Sequence, residues 1–189
     1  MLTRIALFAS GSGSNAEMIM QYFKDHDGIE VALVISNRKA AGVFARAERF
    51  GVPTVYLPKA AWSNAERVLS ALREYRIDFI ALAGFLLLVP AYLVDAFPQR
   101  IVNIHPALLP RHGGKGMYGI NVHRAVKAAG DPVSGPTIHY VNRAYDEGNI
   151  LFQVKTALVS TDTPEEIARK VLKLEHYYYP RVIEKVLLG

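Results

Sequence analysis

Short apolar runs alternate with helical patterns along the first hundred residues, and this alternation restricts the possible folds most strongly. Strand-like runs cover 4–8, 30–36, 53–57, 79–83 and 101–104. Helical patterns lie between them at 15–24, 42–50, 62–75 and 90–96. Strands that alternate with helices of about ten residues indicate βαβ units and a parallel sheet. Crossovers between parallel strands are right-handed, which places helices on both faces of the sheet.

The second half of the chain changes character. A loop over 107–120 carries four glycines, and such a length without periodicity is uncommon unless it is functional. After this loop we predict a helix at 122–129 and two strands, at 136–141 and 150–159, which are joined by a hairpin-like connection. A final helix runs from Thr163 to about Tyr179, and Pro180 bends or restarts it there. The predicted fold is therefore α/β and Rossmann-like, with a mostly parallel twisted sheet, helices on both faces and a C-terminal antiparallel strand pair.

The composition narrows the class of protein. Of the 189 residues 51% are hydrophobic and 21% charged, which is typical of a globular chain. No apolar run reaches the roughly 18 residues that span a bilayer, and the apolar start is too short for a signal peptide. The absence of cysteine excludes disulfides and thiolate catalysis. The net charge is +5, and the lysines and arginines are scattered along the chain, without the basic clusters that are typical of nucleic-acid binding. We expect a cytoplasmic protein that binds neither membrane nor nucleic acid.

Asn103 and His105 stand at the carboxyl end of the predicted strand 101–104. Ligands of open α/β sheets bind at that edge. Because side chains alternate along a strand, the two residues project to the same side. An amide can hold a developing oxyanion, and an imidazole can move a proton near neutral pH. A polar turn, with His105 bonded to a loop carbonyl, explains the same two residues equally well.

A run of glycine, serine and asparagine at 11–15 follows the first predicted strand and opens the first helix. Glycines let the backbone approach a ligand, and a helix N-terminus presents free N–H groups to an anion, so a phosphate is the expected ligand. The segment also matches a dinucleotide fingerprint, Gly11-x-Gly13-x-x-Ala16. The acid which that fingerprint expects after the second strand is replaced by Ser-Asn-Arg at 36–38, and Arg38 could face the 2′-phosphate of NADP. The polar turn favours a terminal phosphate monoester.

Three further features have an ordinary interpretation and a functional one. Asp146 lies in the hairpin-like connection, where aspartate is a common turn residue, but beside His105 it would orient the imidazole. His139, in the neighbouring predicted strand, can line the same cleft. The apolar stretch 82–90 is a buried connector or the wall of a pocket for a flat heterocycle. The six histidines have no H-x-x-x-H or H-E-x-x-H spacing, so no metal site is expected.

Five motifs, in this order, resemble the folate-dependent formyltransferase family. They are Gly-Ser-Gly-Ser-Asn at 11–15, Leu-Ala-Gly-Phe at 82–85, Asn-Ile-His-Pro-Ala-Leu-Leu-Pro at 103–110, Ile-His-Tyr-Val at 138–141 and Asp-Glu-Gly at 146–148. The resemblance covers essentially the whole chain, and the loop at 11–15 narrows it to members whose acceptor carries a phosphate. It implies transfer of the formyl group of 10-formyltetrahydrofolate to the amine of glycinamide ribonucleotide in de novo purine synthesis, without a metal.

The resemblance also implies roles for individual residues. Asn103 would hydrogen-bond the formyl oxygen, His105 would act as general acid and proton shuttle, and Asp146 would raise the pKa of His105 and relay the amine proton. The acceptor's phosphate would be bound by Gly11, Ser12, Gly13, Ser14 and Asn15, and the rest of the acceptor by Gly84, Pro106 and Glu175. The folate would be bound by Phe85, Leu86, Leu87, Leu88, Val89, Asn103, His139, Val141 and Asn142.

The sequence departs from many relatives in three places. An arginine that contacts the folate before the third helix is missing from 60–64, and Lys59 or Arg67 are its candidate replacements. Two leucines at 86–87 replace a common Met-Arg pair. The glycine-rich loop at 113–119 is longer, and we predict that it is a lid over the acceptor.

Related hydrolases and methionyl-tRNA formyltransferases are the alternatives within the family. The former add an N-terminal regulatory domain and the latter a C-terminal tRNA-binding domain, and both would need more chain than these residues provide. We therefore expect a single formyltransferase domain, monomeric or homodimeric. Its half 1–100 would bind phosphate, and its half 101–189 would hold the catalytic and folate-binding residues.

Overall fold

The alternating pattern folds into nine strands and six helices in the computed structural model, which describes residues 2–144 and 146–189. The strands are β1 (Thr3–Phe8), β2 (Ile29–Ser36), β3 (Thr54–Tyr56), β4 (Phe79–Leu82), β5 (Ile101–His105), β6 (Val133–Ser134), β7 (Thr137–Tyr140), β8 (Ile150–Gln153) and β9 (Thr156–Ala157). The helices are α1 (Ser14–Phe23), α2 (Val43–Arg49), α3 (Ala65–Glu74), α4 (Ala91–Ala96), α5 (Ile120–Ala128) and α6 (Pro164–Leu188), with a 3₁₀ helix at Lys59–Ser63.

The main sheet has seven strands in the order β3-β2-β1-β4-β5-β7-β8. Strands β1 to β5 are parallel, β7 is antiparallel to β5, and β8 is antiparallel to β7. This topology confirms the predicted fold class. The order reverses between β1 and β4, and such a switch point opens a crevice at the carboxyl ends of the strands.

Alternate residues of the strands enter two separate cores, one on each face of the sheet. Ile5 and Leu7 of β1 pack with side chains of α1, α2 and α6. Ala6 and Phe8 pack with side chains of α3, α4 and the 3₁₀ helix. All four are fully buried. Helices therefore cover both faces, as the right-handed crossovers predict.

Helix α6 is longer than predicted. It begins with the predicted capping box, in which Thr163 and Glu166 bond each other's backbone N–H groups, and it continues through Pro180 to Leu188. The predicted end near Tyr179 is wrong. Proline removes only one helical N–H, and the buried Tyr179 anchors this turn by donating its hydroxyl to the carbonyl of Leu82 at 2.9 Å.

Two further differences from the predicted bounds have clear physical reasons. The helix predicted at 62–75 begins at Ala65, because Asn64 caps it by accepting from the N–H of Arg67. The strand predicted at 150–159 is divided into β8 and β9, and β9 pairs with β6 in a separate two-stranded sheet. The segments around Gly135 and Val154 cross here. A Cβ added to Gly135 would lie only 1.8 Å from the carbonyl oxygen of Val154, so only glycine fits at this position.

None of the helices described here is both long and apolar enough to cross a membrane.

Candidate active site

A cavity of about 480 Å³ lies at the carboxyl ends of β4 and β5, beside the switch point of the sheet. Its walls come from the first turn of α1, the segment after β4, the end of β5, the loop before α5, β7 with the connection to β8, and α6. The lining residues are Asn15, Leu82, 84–89, 103–106, 114–119, His139, Val141, Ala144, Asp146 and Glu175.

The ring of His105 is held between a carboxylate and a carbonyl. The residue is only 3% exposed. Its Nδ1 lies 3.5 Å from Oδ2 of Asp146, and its Nε2 lies 2.8 Å from the main-chain oxygen of His112. A carbonyl only accepts, so Nε2 carries a hydrogen and donates it. His105 therefore makes both contacts that the sequence suggested: it lies close to Asp146, as a catalytic role requires, and it bonds a loop carbonyl, as a polar turn would.

Asn103 is oriented by a histidine on the neighbouring strand. The register of β5 and β7 places it opposite His139, and its Nδ2 lies 3.2 Å from Nε2 of that ring. Nδ1 of His139 lies 2.9 Å from the carbonyl of Tyr140 and therefore donates to it. In the neutral ring Nε2 is then the acceptor, which turns the amide nitrogen of Asn103 towards His139. The second hydrogen of that nitrogen is available to a ligand oxygen.

Asp146 lies between the two imidazoles and the glycine-rich loop. Its Oδ2 accepts from the N–H of Gly114 at 2.9 Å, and its Oδ1 lies 3.6 Å from Nε2 of His139. Burial favours the neutral carboxyl, but His139 when its Nε2 carries a hydrogen, the ring of His105 and the N–H of Gly114 favour the carboxylate more strongly. The pKa of Asp146 is therefore lowered, and the side chain is ionised at neutral pH.

His105 is neutral at neutral pH. Burial lowers the pKa of His105, while Asp146 and the carbonyl of His112 raise it and the imidazoles of His139 and His112 lower it. The net pKa lies below the ordinary value. Asp146 does raise the pKa of His105, as expected, but burial lowers it by more. The ring can therefore accept a proton and is stabilised by Asp146 once it has done so.

The N-terminus of α1 faces one end of the cavity. Gly13 caps the helix in the left-handed conformation, and among the described residues no side-chain cap hydrogen bond occupies this end, which suits an anion. Asn15 lines the cavity and donates its Nδ2 to Oε2 of the buried Glu175 at 2.6 Å. Burial raises the pKa of Glu175. The other predicted phosphate ligands, Gly11, Ser12, Gly13 and Ser14, lie outside the cavity wall.

Gly13 is required for stability by two independent constraints. Its φ is +77°, and an added Cβ would lie 2.5 Å from Cβ and Cγ2 of Val43. We expect Gly13→Ala to lower the free energy of unfolding by about 2–4 kcal/mol, because left-handed strain and overpacking act together. Urea unfolding measures this. Gly11→Ala is the matched control, since its Cβ would meet nothing within 4 Å. Equal midpoints for the two variants would contradict the prediction.

The predicted folate-binding segment 85–89 lines the cavity. Leu86 and Leu88 remain 37% and 44% exposed, so they offer apolar surface to a ligand. The ring of Phe85 instead packs edge-on against Phe8 in the core. Asn142 lies outside the cavity wall, and its Oδ1 accepts from the N–H of Ala144 and closes a turn.

The glycine-rich loop forms a wall of the cavity from 114 to 119. Lys115 is the only lysine or arginine among the described lining residues, whereas Lys59 and Arg67 lie elsewhere. The sequence signalled this loop through its glycines, but it did not signal the lysine as a cavity residue. Ile104 was also missed, since nothing in its local pattern distinguishes it from other apolar residues of strands.

Comparisons with known proteins agree on one family. A family model described as formyl transferase matches residues 3–183. A phosphoribosylglycinamide formyltransferase of Bacillus subtilis is 36% identical over 98% of this chain and 95% of its own. A chloroplastic phosphoribosylglycinamide formyltransferase of Arabidopsis thaliana is 45% identical over 95% of this chain, which spans only 64% of that relative. A crystal structure of phosphoribosylglycinamide formyltransferase from Bacillus halodurans superposes with a TM-score of 0.89 at 37% identity, covering 99% of this chain and 96% of that one.

Proposed function

We propose that this chain, which belongs to the formyl transferase family, transfers the formyl group of 10-formyltetrahydrofolate to the amine of N1-(5-phospho-D-ribosyl)glycinamide. The products would be the N-formyl compound and tetrahydrofolate, as a step of de novo purine (IMP) biosynthesis. The observation that carries the proposal is the convergence of Asn103, His105 and Asp146 on one cavity, with 3.5 Å between the last two.

The geometry supports direct attack of the amine on the formyl carbon. The second hydrogen of the Asn103 amide nitrogen is available to the formyl oxygen as its negative charge develops. Neutral His105 takes the proton that the amine loses, and Asp146 stabilises the imidazolium. The carbon–nitrogen bond to the folate then breaks, and His105 returns the proton to the leaving nitrogen. No covalent enzyme intermediate is needed, because alignment and charge stabilisation carry the reaction.

Two ends of the cavity fit the two substrates. We place the acceptor's phosphate at the N-terminus of α1, with Gly11, Ser12, Gly13, Ser14 and Asn15, and its remaining polar groups near Gly84, Pro106 and Glu175. The folate lies against the apolar segment 85–89, with His139 and Val141 around its ring and Asn142 behind them, outside the cavity wall. The catalytic residues lie between the two ends.

An assay of formyl transfer tests the proposal. Purified protein with 10-formyltetrahydrofolate and the ribonucleotide should give tetrahydrofolate and formylated product in equal amounts. The glycinamide riboside without its phosphate should give a KM at least tenfold higher, because the anion contacts are lost. Failure of folded protein to turn over would refute the transfer. Folate turnover without any acceptor would instead indicate a hydrolase.

Asp146→Asn tests the proton relay. The carboxylate favours protonated His105, so the variant should lower the pKa of that ring further. We expect kcat to fall about tenfold or more, because the imidazolium loses its partner. The acid limb of kcat/KM, where His105 loses its proton, should move to lower pH. Glu147→Gln, an exposed neighbour, is the control and should keep the wild-type profile. A limb that stays in place or moves to higher pH would contradict the relay.

Several properties remain predictions. These are the division into a phosphate-binding half at 1–100 and a catalytic half at 101–189, the monomeric or homodimeric state, the cytoplasmic location, and the independence of metal and nucleic acid. The Arabidopsis relative is named as chloroplastic. Among residues 2–144 and 146–189, no group of three or more His, Asp and Glu side chains could hold a metal ion.

A further inference from the structure

A buried carboxylate outside the cavity wall holds the segment that contacts His105. Asp131 follows α5, and its side chain is 8% exposed. Its Oδ2 lies 2.6 Å from Nε2 of His112, and its Oδ1 lies 2.6 Å from the guanidinium of Arg111. A buried carboxylate is stable only when it is paired, so these contacts tie the end of the loop after β5 to the end of α5.

His112 joins this carboxylate to the active site. Its ring bonds Asp131, while its carbonyl accepts from Nε2 of His105 at 2.8 Å. Its φ is +55°, a conformation in which a non-glycine residue persists only when surrounding contacts hold it. The hydrogen bond between the His112 ring and Asp131 can therefore maintain the orientation of the His112 carbonyl.

The carbonyl decides how His105 is protonated. Because Nε2 donates to it, the lone pair of the neutral ring lies on Nδ1, towards Asp146. When Nδ1 gains a proton, both nitrogens have acceptors in place. Without the carbonyl, the ring could hold its hydrogen on Nδ1, and the nitrogen facing Asp146 could no longer accept a proton.

We propose that Asp131 is a positioning residue: by its hydrogen bond to the ring of His112, it keeps the carbonyl of His112 bonded to Nε2 of His105. The kinetic consequence rests on the formyl transfer proposed above. The contacts of Asp131 among the described residues, His112 and Arg111, lie outside the cavity wall, so Asp131 acts only through the tautomer and orientation of the His105 ring.

Other charged and titratable groups face His105, and the variants below leave them in place. Asp146 and His139 approach from β7 and the connection after it, and His123 approaches from α5. Burial lowers the pKa of His123 to about 4, so that ring is neutral at pH 7. The imidazole of His112 also lowers the pKa of His105, so the tautomer of His105, read together with its pKa, reports on the carbonyl in an Asp131 variant.

Asp131→Asn is the kinetic test, and Arg111→Gln is its matched control. The first removes the charge that holds His112, whereas the second removes only the partner whose side chain is 62% exposed. We expect Asp131→Asn to lower kcat about ten- to a hundredfold with each KM within about twofold, since the ring is misplaced but the substrates still bind. The acid limb of kcat/KM should move to lower pH, because the imidazolium loses an acceptor. Arg111→Gln should behave as wild type. A raised KM with normal kcat, or equal losses in both variants, would overturn the proposal.

An NMR measurement on the protein without substrates separates this inference from the reaction itself. Imidazole ¹⁵N spectra should show His105 with its hydrogen on Nε2 in the wild type, and a mixture of tautomers with a lowered pKa in Asp131→Asn. If the protein transfers no formyl group but the His105 tautomer changes in Asp131→Asn, the positioning role of Asp131 is supported and the proposed reaction is refuted. An unchanged tautomer and pKa refute the positioning, whatever the activity.

His112→Asn provides a second variant in case Asp131→Asn does not fold. Asparagine tolerates the left-handed conformation better than most residues, and its shorter side chain cannot make the same contact with Asp131. We expect the same shift of the His105 tautomer, because the carbonyl loses the same anchor. A folded His112→Asn protein with the wild-type tautomer would refute the proposal independently.

Discussion

Replacing His105 with alanine is expected to lower kcat for formyl transfer by roughly two to four orders of magnitude, the range of general acid–base catalysis. The ring is 3% exposed and bonded at Nε2, with Asp146 3.5 Å from Nδ1. No other described side chain combines a place in the cavity with contacts to both Asp146 and the His112 carbonyl. The measurement is kcat at saturating concentrations of both substrates, with the unfolding midpoint recorded to show that the variant is folded.

His26→Gln is the matched control for the loss of an imidazole. His26 is not among the residues that line the cavity, and its Nε2 lies 3.3 Å from Oε1 of Glu184. We expect its kcat to equal that of the wild type. A folded His105→Ala enzyme whose kcat stays within a few-fold of the wild type would remove His105 from the proton transfer.

Asn103→Asp is expected to lower kcat by roughly two to three orders of magnitude, the usual loss for one oxyanion donor. The substitution preserves the shape of the side chain. It replaces the nitrogen that bonds His139 at 3.2 Å with an oxygen that cannot donate, and it brings negative charge towards a developing oxyanion. Single-turnover rates at saturating substrate measure the chemical step directly.

Asn64→Asp is the control for the same chemical change. Asn64 caps α3 by accepting a hydrogen bond, and aspartate accepts it equally well. We expect this variant to keep wild-type stability and kcat. If Asn103→Asp changed only the KM of the folate and left the single-turnover rate intact, Asn103 would be a binding residue and not an oxyanion donor.

Much of the fold follows from local pattern. The alternation of strands and helices predicts the parallel sheet, and Thr163, Pro164 and Glu166 predict the start of α6, because capping and periodicity depend only on neighbours in the chain. Errors arise where distant contacts override a local signal. Pro180 indicates a break, but the buried Tyr179 keeps the helix intact. The strand predicted at 150–159 looks continuous, yet it divides where Val154 crosses Gly135.

The candidate site shows the same division between local and distant information. Asn103 and His105 project together because of the two-residue period of β5, which any reader of the sequence can recognise. Asp146 is 41 positions from His105, and neither pattern nor spacing sets the 3.5 Å between them. The contact of Asp131 with His112 has no sequence signal, because an Asp after a helix is an ordinary loop residue.

The amino-acid order alone was sufficient to identify the fold class, the loop at the start of α1, the polar pair on β5 and, through five motifs, the family. Periodicity, capping and motif spacing are properties of neighbouring residues, so they can be seen before the chain folds. The cavity, the orientation of the Asn103 amide by His139, and the lowered pKa of His105 came only from the tertiary structure. Each depends on burial and on distances between residues far apart in sequence, and the packing of the sheet sets those quantities.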